Sequence, residues 1–425
     1  MASTTKHSST AAPTVKVILA VGSLIAAISL GARSTMGIFL GPVSNGLELG
    51  TSTFALSLAI QNLVWGLGQP VAGAMADRYG TVRVLLAGSV FYSAGLLIVA
   101  NGSTGLELHL GAGLVMGLGL AAASFTVVLA AVGRLVPEER RGMALGLVTA
   151  FGSVGQLILI PVAQIIIARA GWRTAMVTLA VVAAVIGLVA RPLRNRSEVI
   201  SADRTEVVGD ETLAQALRRA GNHRGYVLLN LAFFVCGFHV TFIGIHLPKY
   251  LDDQGQSGSV AAAALAGIGL FNIVGTLSAG MMGQRITKTR LLSAIYAGRG
   301  VAMLGLLLLP VSPATSFTFA AVMGLFWLST VPLTSGVVLG QFGIKHAGTL
   351  FGVVFFSHQI GAFIGTWGAG AVREATGSYT PWWWVSIALA VFGAVVHLFI
   401  DEGPGGERVD VDLKLHSREP TGKLP

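Results

Sequence analysis

Charge is scarce in this chain. Asp, Glu, Lys and Arg make up 11% of its 425 residues, against a hydrophobic share of 53%. Soluble domains carry about 25% charged residues. A water-facing surface cannot be built from so few, which excludes a soluble globular domain and makes lipid the solvent. Cysteine is scarcer still: Cys236 is the only one, so an intrachain disulfide and a thiolate metal site are both excluded. No Asp or Glu falls in the middle of an apolar run; Glu48, Glu107 and Asp77 all stand at run ends. There is no Walker-type phosphate loop, so direct coupling to ATP is not expected. No catalytic constellation or long loop is present in which to build an enzyme or a sensor. No histidine pair has metal-ligand spacing, and neither metal nor cofactor is expected. Residues 1–14 are polar and lack an apolar stretch with a small-residue cleavage site, so they read as a cytoplasmic tail and not a removable signal.

What is abundant is long apolar sequence. Runs long enough to span a bilayer, about 20 residues each, recur at 15–41, 52–75, 82–100, 106–133, 143–168, 173–190, 226–248, 259–283, 290–309, 314–340, 347–371 and 381–400. Helices satisfy their own backbone bonds in hydrocarbon, so the fold class is all-α integral membrane, with twelve transmembrane helices. One long polar stretch, 191–224, carries seven arginines and five acidic residues and divides the runs six and six. The organisation is a tail at 1–14, a six-helix bundle at 15–190, the cytoplasmic loop at 191–224, a second bundle at 225–400 and a cytoplasmic tail at 401–425. Segment 210–220 of the loop has helical spacing and is expected to lie along the membrane surface.

The net charge of +9 has a membrane explanation, and nucleic acid binding is not expected. With the N-terminus cytoplasmic, 22 of the 28 Lys and Arg residues fall on the inside and four outside, namely Arg169, Arg173, Lys249 and Arg373. That bias puts both termini in the cytoplasm of an inner-membrane protein. Trp382, Trp383 and Trp384 open the last run where an interfacial aromatic belt is expected.

The two halves repeat. Gly73-x-x-x-Asp77-Arg78 returns as Gly280-x-x-x-Gln284-Arg285, 207 residues on. Gly142, Gly146 and Gly155 return as Gly348, Gly352 and Gly361, 206 residues on. Paired six-helix halves are a transporter plan, with substrate held between them near mid-membrane.

Arg33 and Arg299 remain inside the membrane. Arg33 lies two-thirds along the first run, where a guanidinium costs at least about 2.5 kcal/mol and turns to a partner or a wet cavity. With no mid-span carboxylate to pair it, an arriving anion is a fitting partner, since Arg grips a carboxylate with two prongs. The alternative is a structural Arg bonded to carbonyls, and for Arg299 the two readings are level. His239 and His358 are proton-relay candidates, because the imidazole titrates near neutrality; a neutral histidine tying helices together is the competing reading. Gln61, Asn62, Gln156, Asn272, Trp327 and Gln359 complete the candidate binding set, each of them equally able to serve in helix packing.

The segment Gly73-Ala-Met-Ala-Asp77-Arg78-Tyr79-Gly80-Thr-Val-Arg83, with Arg134-Leu-Val-Pro137-Glu-Glu-Arg140-Arg141-Gly142, resembles the loop signatures of the major facilitator superfamily. The resemblance implies a conformational latch built from Gly73, Asp77, Arg78, Gly80, Arg83 and Arg134. Within that superfamily the chain is similar to bacterial relatives of the monocarboxylate transporters, on Gly31-Ala-Arg33-Ser-Thr-Met-Gly37-Ile-Phe39, Cys236-Gly-Phe-His239, His246-Leu-Pro248-Lys249-Tyr250 and Ser357-His358-Gln359-Ile-Gly361-Ala-Phe363. That likeness implies a small anionic substrate, contacted by the basic residue of the first helix, with protons or a counter-anion as partner and function as a monomer. Where proton-coupled members carry an aspartate and an arginine four residues apart, this chain has Asn272 and Thr276. Efflux of an amphipathic compound is the alternative that this departure keeps open.

Overall fold

The computed structural model describes residues 14–194, 212–343 and 346–402. Nearly all of the two expected tails and half of the central loop fall outside the described residues, as does the side chain of Asp77. All regular structure among them is helical, and the twelve apolar runs become twelve passes. The first is Val15–Ser34 continued as Met36–Gly46; Thr51–Tyr79, Thr81–Asn101 and Gly105–Leu135 follow. The fifth and sixth passes, 138–170 and 172–189, meet at Gly171, whose φ of 83° turns the chain where a side chain would be strained. The second half comprises Arg224–Asp253, Gly258–Met282, Lys288–Leu308, Pro313–Phe342, Ala347–Thr376 and Thr380–His397.

The sequence repeat is visible as matched packing. Gly155 of the fifth span lies against the Ala27 carbonyl of the first, and Gly361 of the eleventh against the Phe234 carbonyl of the seventh. A β-carbon at either glycine would collide with the facing backbone, so small residues set how closely these helices approach. Ala27 and Phe234 are themselves 207 residues apart.

Two expectations are refined. The surface helix forms at Leu213–Asn222, capped by Thr212 with Gln215, and buries Ala216 and Ala220. Its Arg219 lies over the Phe342 ring at the end of the tenth span. The tryptophan triplet is not a belt. Trp383 is buried against Phe242, Tyr250 and Phe319, and Trp382 stacks on Phe238. Only Trp384 is largely exposed, because a helix turns successive residues to different faces.

The halves meet along three helix pairs, the second span with the eleventh, the fifth with the eighth, and the first with the seventh, where Gly37 faces the Gly244 carbonyl. On the side away from the termini, Glu374 accepts hydrogen bonds from the backbone N–H and hydroxyl of Ser52. The carboxylate thus sits at the N-terminus of the second span, where the helix dipole favours it. Gln164 likewise lies against Gly258. Contacts continue inward through Gln359 with Gly66 and Trp65 with Phe355 on the first pair, and through Gln156 with Gly269 on the second. Further toward the termini, Gly73, Gly146, Gly280 and Gly352 have no atom within 4 Å of the place a β-carbon would take. The bundle is sealed on one side and parted on the other.

This shape is testable by cross-linking. A β-carbon on Gly370 would lie 2.9 Å from that of Ala55, so cysteines at Ala55 and Gly370, in a Cys236→Ser background, are expected to form a disulfide on mild oxidation. Gly73→Cys should instead react freely with a maleimide. Failure of the first pair to join would show the far side to be open.

Candidate functional site

A cavity of about 50 Å³ lies between the halves, lined by Arg33, Ser34, Gln156, Val240, Thr241, Gly244, Ile245, Leu265 and Trp327. It has room for a few waters or a small anion. Spans one and five form one wall, and spans seven, eight and ten the other.

Arg33 stands at the end of the first helical segment, two residues before the break at Thr35. There the Thr35 N–H turns back to the Ala32 and Arg33 carbonyls and its hydroxyl to that of Ala32. The guanidinium is half-buried. Its Nη2 donates to Asn62 Oδ1 at 2.7 Å, and its plane lies over the Trp65 ring, 4.6 Å from the centroid. Its Nε is buried with no partner. Among the described residues no carboxylate pairs with it. Two neutral groups and an aromatic face hold the cation in place and leave donors free to grip something else.

A hydrogen-bonded chain leads from Arg33 across the interface. The backbone oxygen of Asn62 accepts from Gln359 Nε2 at 3.0 Å, and Gln359 Oε1 lies 3.0 Å from His358 Nδ1. An amide oxygen only accepts, so Nδ1 carries the proton. His358 also stacks flat on Phe355.

Across the cavity the tenth span breaks after Phe326, and Arg299 fills the gap. This residue is fully buried and donates to the Phe326 carbonyl at 2.7 Å and the Trp327 carbonyl at 2.6 Å, with Cys236 Sγ at 3.6 Å. It is a structural cation: the carbonyls freed by the break receive its protons. Asn272 completes the same repair. Its Oδ1 accepts from the Leu328 N–H at 2.9 Å and from the Thr276 hydroxyl at 3.1 Å, while its Nδ2 donates to Ser153 Oγ at 3.0 Å. The two residues that stand where a charged pair was looked for thus bond to each other as neutral groups.

The structure brings Arg33, Asn62, Gln156, Trp327 and Gln359 to or beside the cavity. Gln156 donates to the Leu265 carbonyl. Gln61 points away, donating to the Ala112 carbonyl of the fourth span. His239 also lies off the cavity: it is fully buried, with Nε2 2.9 Å from the Ser386 carbonyl of the twelfth span. Both tie one helix to another. Of the latch residues, Arg134 Nη2 donates to the Thr81 hydroxyl, Arg78 lies over the Tyr79 ring, Gly80 has φ 93°, and Arg83 is exposed. Trp65 and Thr241 escaped sequence reasoning. A tryptophan three residues beyond Asn62, on the same helical face, was the available signal for the first.

Comparison with known proteins agrees with this architecture. A family model described as Major Facilitator Superfamily matches residues 22–366. Monocarboxylate transporter 11 of Mus musculus is 26% identical over 393 residues, covering 90% of this chain and 86% of that protein. The uncharacterized MFS-type transporter YcxA of Bacillus subtilis (strain 168) is 24% identical, covering 92% of this chain and 97% of its own length. Among solved structures, a D-xylose-proton symporter superposes with a TM-score of 0.74 at 15% identity, over 91% of this chain and 98% of that one. At such identity the likeness is one of fold.

The Arg299 geometry makes a stability prediction. Arg299→Leu leaves two buried carbonyls unpaired and is expected to destabilise the protein by about 3 kcal/mol. This should appear as a lower midpoint of thermal unfolding in detergent. An unchanged midpoint would mean the break holds itself.

Proposed function

This chain belongs to the Major Facilitator Superfamily, and on that premise we propose that it moves a small organic monoanion, a monocarboxylate, across the inner membrane by alternating access. It is a multi-pass membrane transporter and not an enzyme. The observation that carries the cargo assignment is Arg33. A half-buried cation with only neutral partners and unused donors, at the edge of a cavity between the halves, is completed by an anion. One cation and no second basic group on the lining favour a single negative charge. Val240, Ile245, Leu265 and Trp327 supply an apolar wall suited to a short carbon chain.

The basic-residue bias supports cytoplasmic termini; with that orientation the sealed side is the outer one and the chain stands open to the cytoplasm. Return of the carrier through the loaded state, by proton symport or anion exchange, moves the cargo. The chain Arg33–Asn62–Gln359–His358 supports the proton reading. It links the cargo's cation to an imidazole through neutral amides, so protonation at one end and anion binding at the other share one network. The transporter acts as a monomer, since each polypeptide holds a complete cavity. The small cavity and its cation both disfavour export of an amphipathic compound.

Proteoliposome uptake of labelled pyruvate and lactate, with and without an imposed pH gradient, tests this. Uptake is expected in wild type and at least about a hundredfold lower in Arg33→Gln, the loss of a charged, two-pronged contact. His358→Gln is expected to weaken the stimulation of uptake by an imposed pH gradient. Uptake that Arg33→Gln leaves intact would remove this residue from the site. Stimulation by the gradient that His358→Gln leaves unchanged would remove this histidine from the proton path.

A further inference from the structure

The break in the tenth span is tied to the opposite half of the molecule. Its two exposed backbone ends are held by different residues: Arg299 takes the carbonyls of Phe326 and Trp327, and Asn272 takes the N–H of Leu328. Arg299 belongs to the same half as the break. Asn272 does too, but its second functional group reaches out of that half, donating to Ser153 Oγ on the fifth span at 3.0 Å. Besides the Thr276 hydroxyl one turn along its own helix, the partners of Asn272 are Ser153 at the interface between halves and Leu328 where the cavity wall is broken. Trp327, the residue at the break, presents its side chain to the cavity.

We propose that Asn272 is a positioning residue that couples the fifth–eighth helix interface to the Trp327 wall of the cavity, with Ser153 as its anchor on the other half. When the fifth and eighth spans separate, the Ser153 contact is lost and Asn272 is freed to rotate. The Leu328 N–H then loses a fixed acceptor and the break loosens, releasing Trp327 from its place. The shape of the cavity wall thereby follows the separation of the halves. This goes beyond the transport reading and requires no knowledge of the cargo.

The chain carries its own reporter. Cys236 is the only cysteine, is fully buried, and lies against the break, with Sγ 3.2 Å from the Thr330 hydroxyl and 3.6 Å from Arg299 Nη2. Its reaction rate with a small methanethiosulfonate reads how often the break opens. Ser153 sits on the other half, so a role confined to packing around Cys236 would be insensitive to it.

The experiment measures that rate for the whole protein in nanodiscs, with size-exclusion behaviour as the check on folding. Ser153→Ala is expected to raise the rate about three- to tenfold, the loss of one interhelical hydrogen bond. Ser153→Thr, which keeps the hydroxyl, should return it to the wild-type value, and Asn272→Ala should raise it at least as far as Ser153→Ala. A rate unchanged in Ser153→Ala overturns the coupling, whatever Asn272→Ala does. A rise in Ser153→Ala that Ser153→Thr fails to reverse also overturns it, since the hydroxyl would then not be the anchor. If Asn272→Ala does not fold, the two serine variants decide the matter alone.

Discussion

An unneutralised guanidinium in hydrocarbon is the constraint around which the rest of this molecule is arranged. Arg33 costs several kcal/mol where it stands, and nothing in the first span itself repays that. The Asn62 side-chain oxygen and the Trp65 face each stabilise the charge without cancelling it. A carboxylate in place of Asn62 would satisfy the cation permanently and leave a cargo nothing to contribute. Neutral partners leave the cation without a counter-charge among the described residues, which is the opening the proposed anion would fill.

The same economy of charge governs the interface between the halves. Where the halves touch near the cavity, the contacts are neutral: Gln359 to Asn62 on one helix pair and Asn272 to Ser153 on another. Ser153 and Gln359 stand 206 residues apart, the offset of the repeat, so the two contacts are related by the symmetry of the fold. Each is worth on the order of 0.6 kcal/mol, weak enough to break and remake during a transport cycle. Among the described residues, Arg373 with Asp253 ties the eleventh span to the seventh within one half, and Lys249 with Asp252 lies within the seventh span itself; neither pair needs to part. Arg299 is the contrasting case of a charge held within one half, its Nε and Nη2 donating to carbonyls that a broken helix has released.

Most of the architecture was legible because lipid imposes strict rules on sequence. Run length gave the twelve passes, and glycine offsets gave the two halves. Arg33 was legible for the same reason, since a charge in an apolar run is conspicuous. What could not be read was direction. Gln61 and Asn62 are adjacent, yet one helical step sends Gln61 to the fourth span and Asn62 to the cation. His239 sits on a cavity-lining helix but on its far face, against the twelfth span. The triplet Trp382–Trp384 failed as a belt on the same ground. The break in the tenth span was also hidden: nothing in Leu325-Phe-Trp-Leu-Ser-Thr330 announces it, because the residues that satisfy it, Arg299 and Asn272, are distant in sequence.

The central claim is that an arriving monoanion completes Arg33, and ligand-dependent thermal stability tests it without any assumption about coupling or direction of transport. Anything that binds the folded state raises its unfolding midpoint. Pyruvate, lactate and similar monocarboxylates should stabilise the wild-type protein, dicarboxylates of the same length should do so less, and none should stabilise Arg33→Gln. Stabilisation by cationic or uncharged amphipathic compounds, with no response to any carboxylate, would contradict the account.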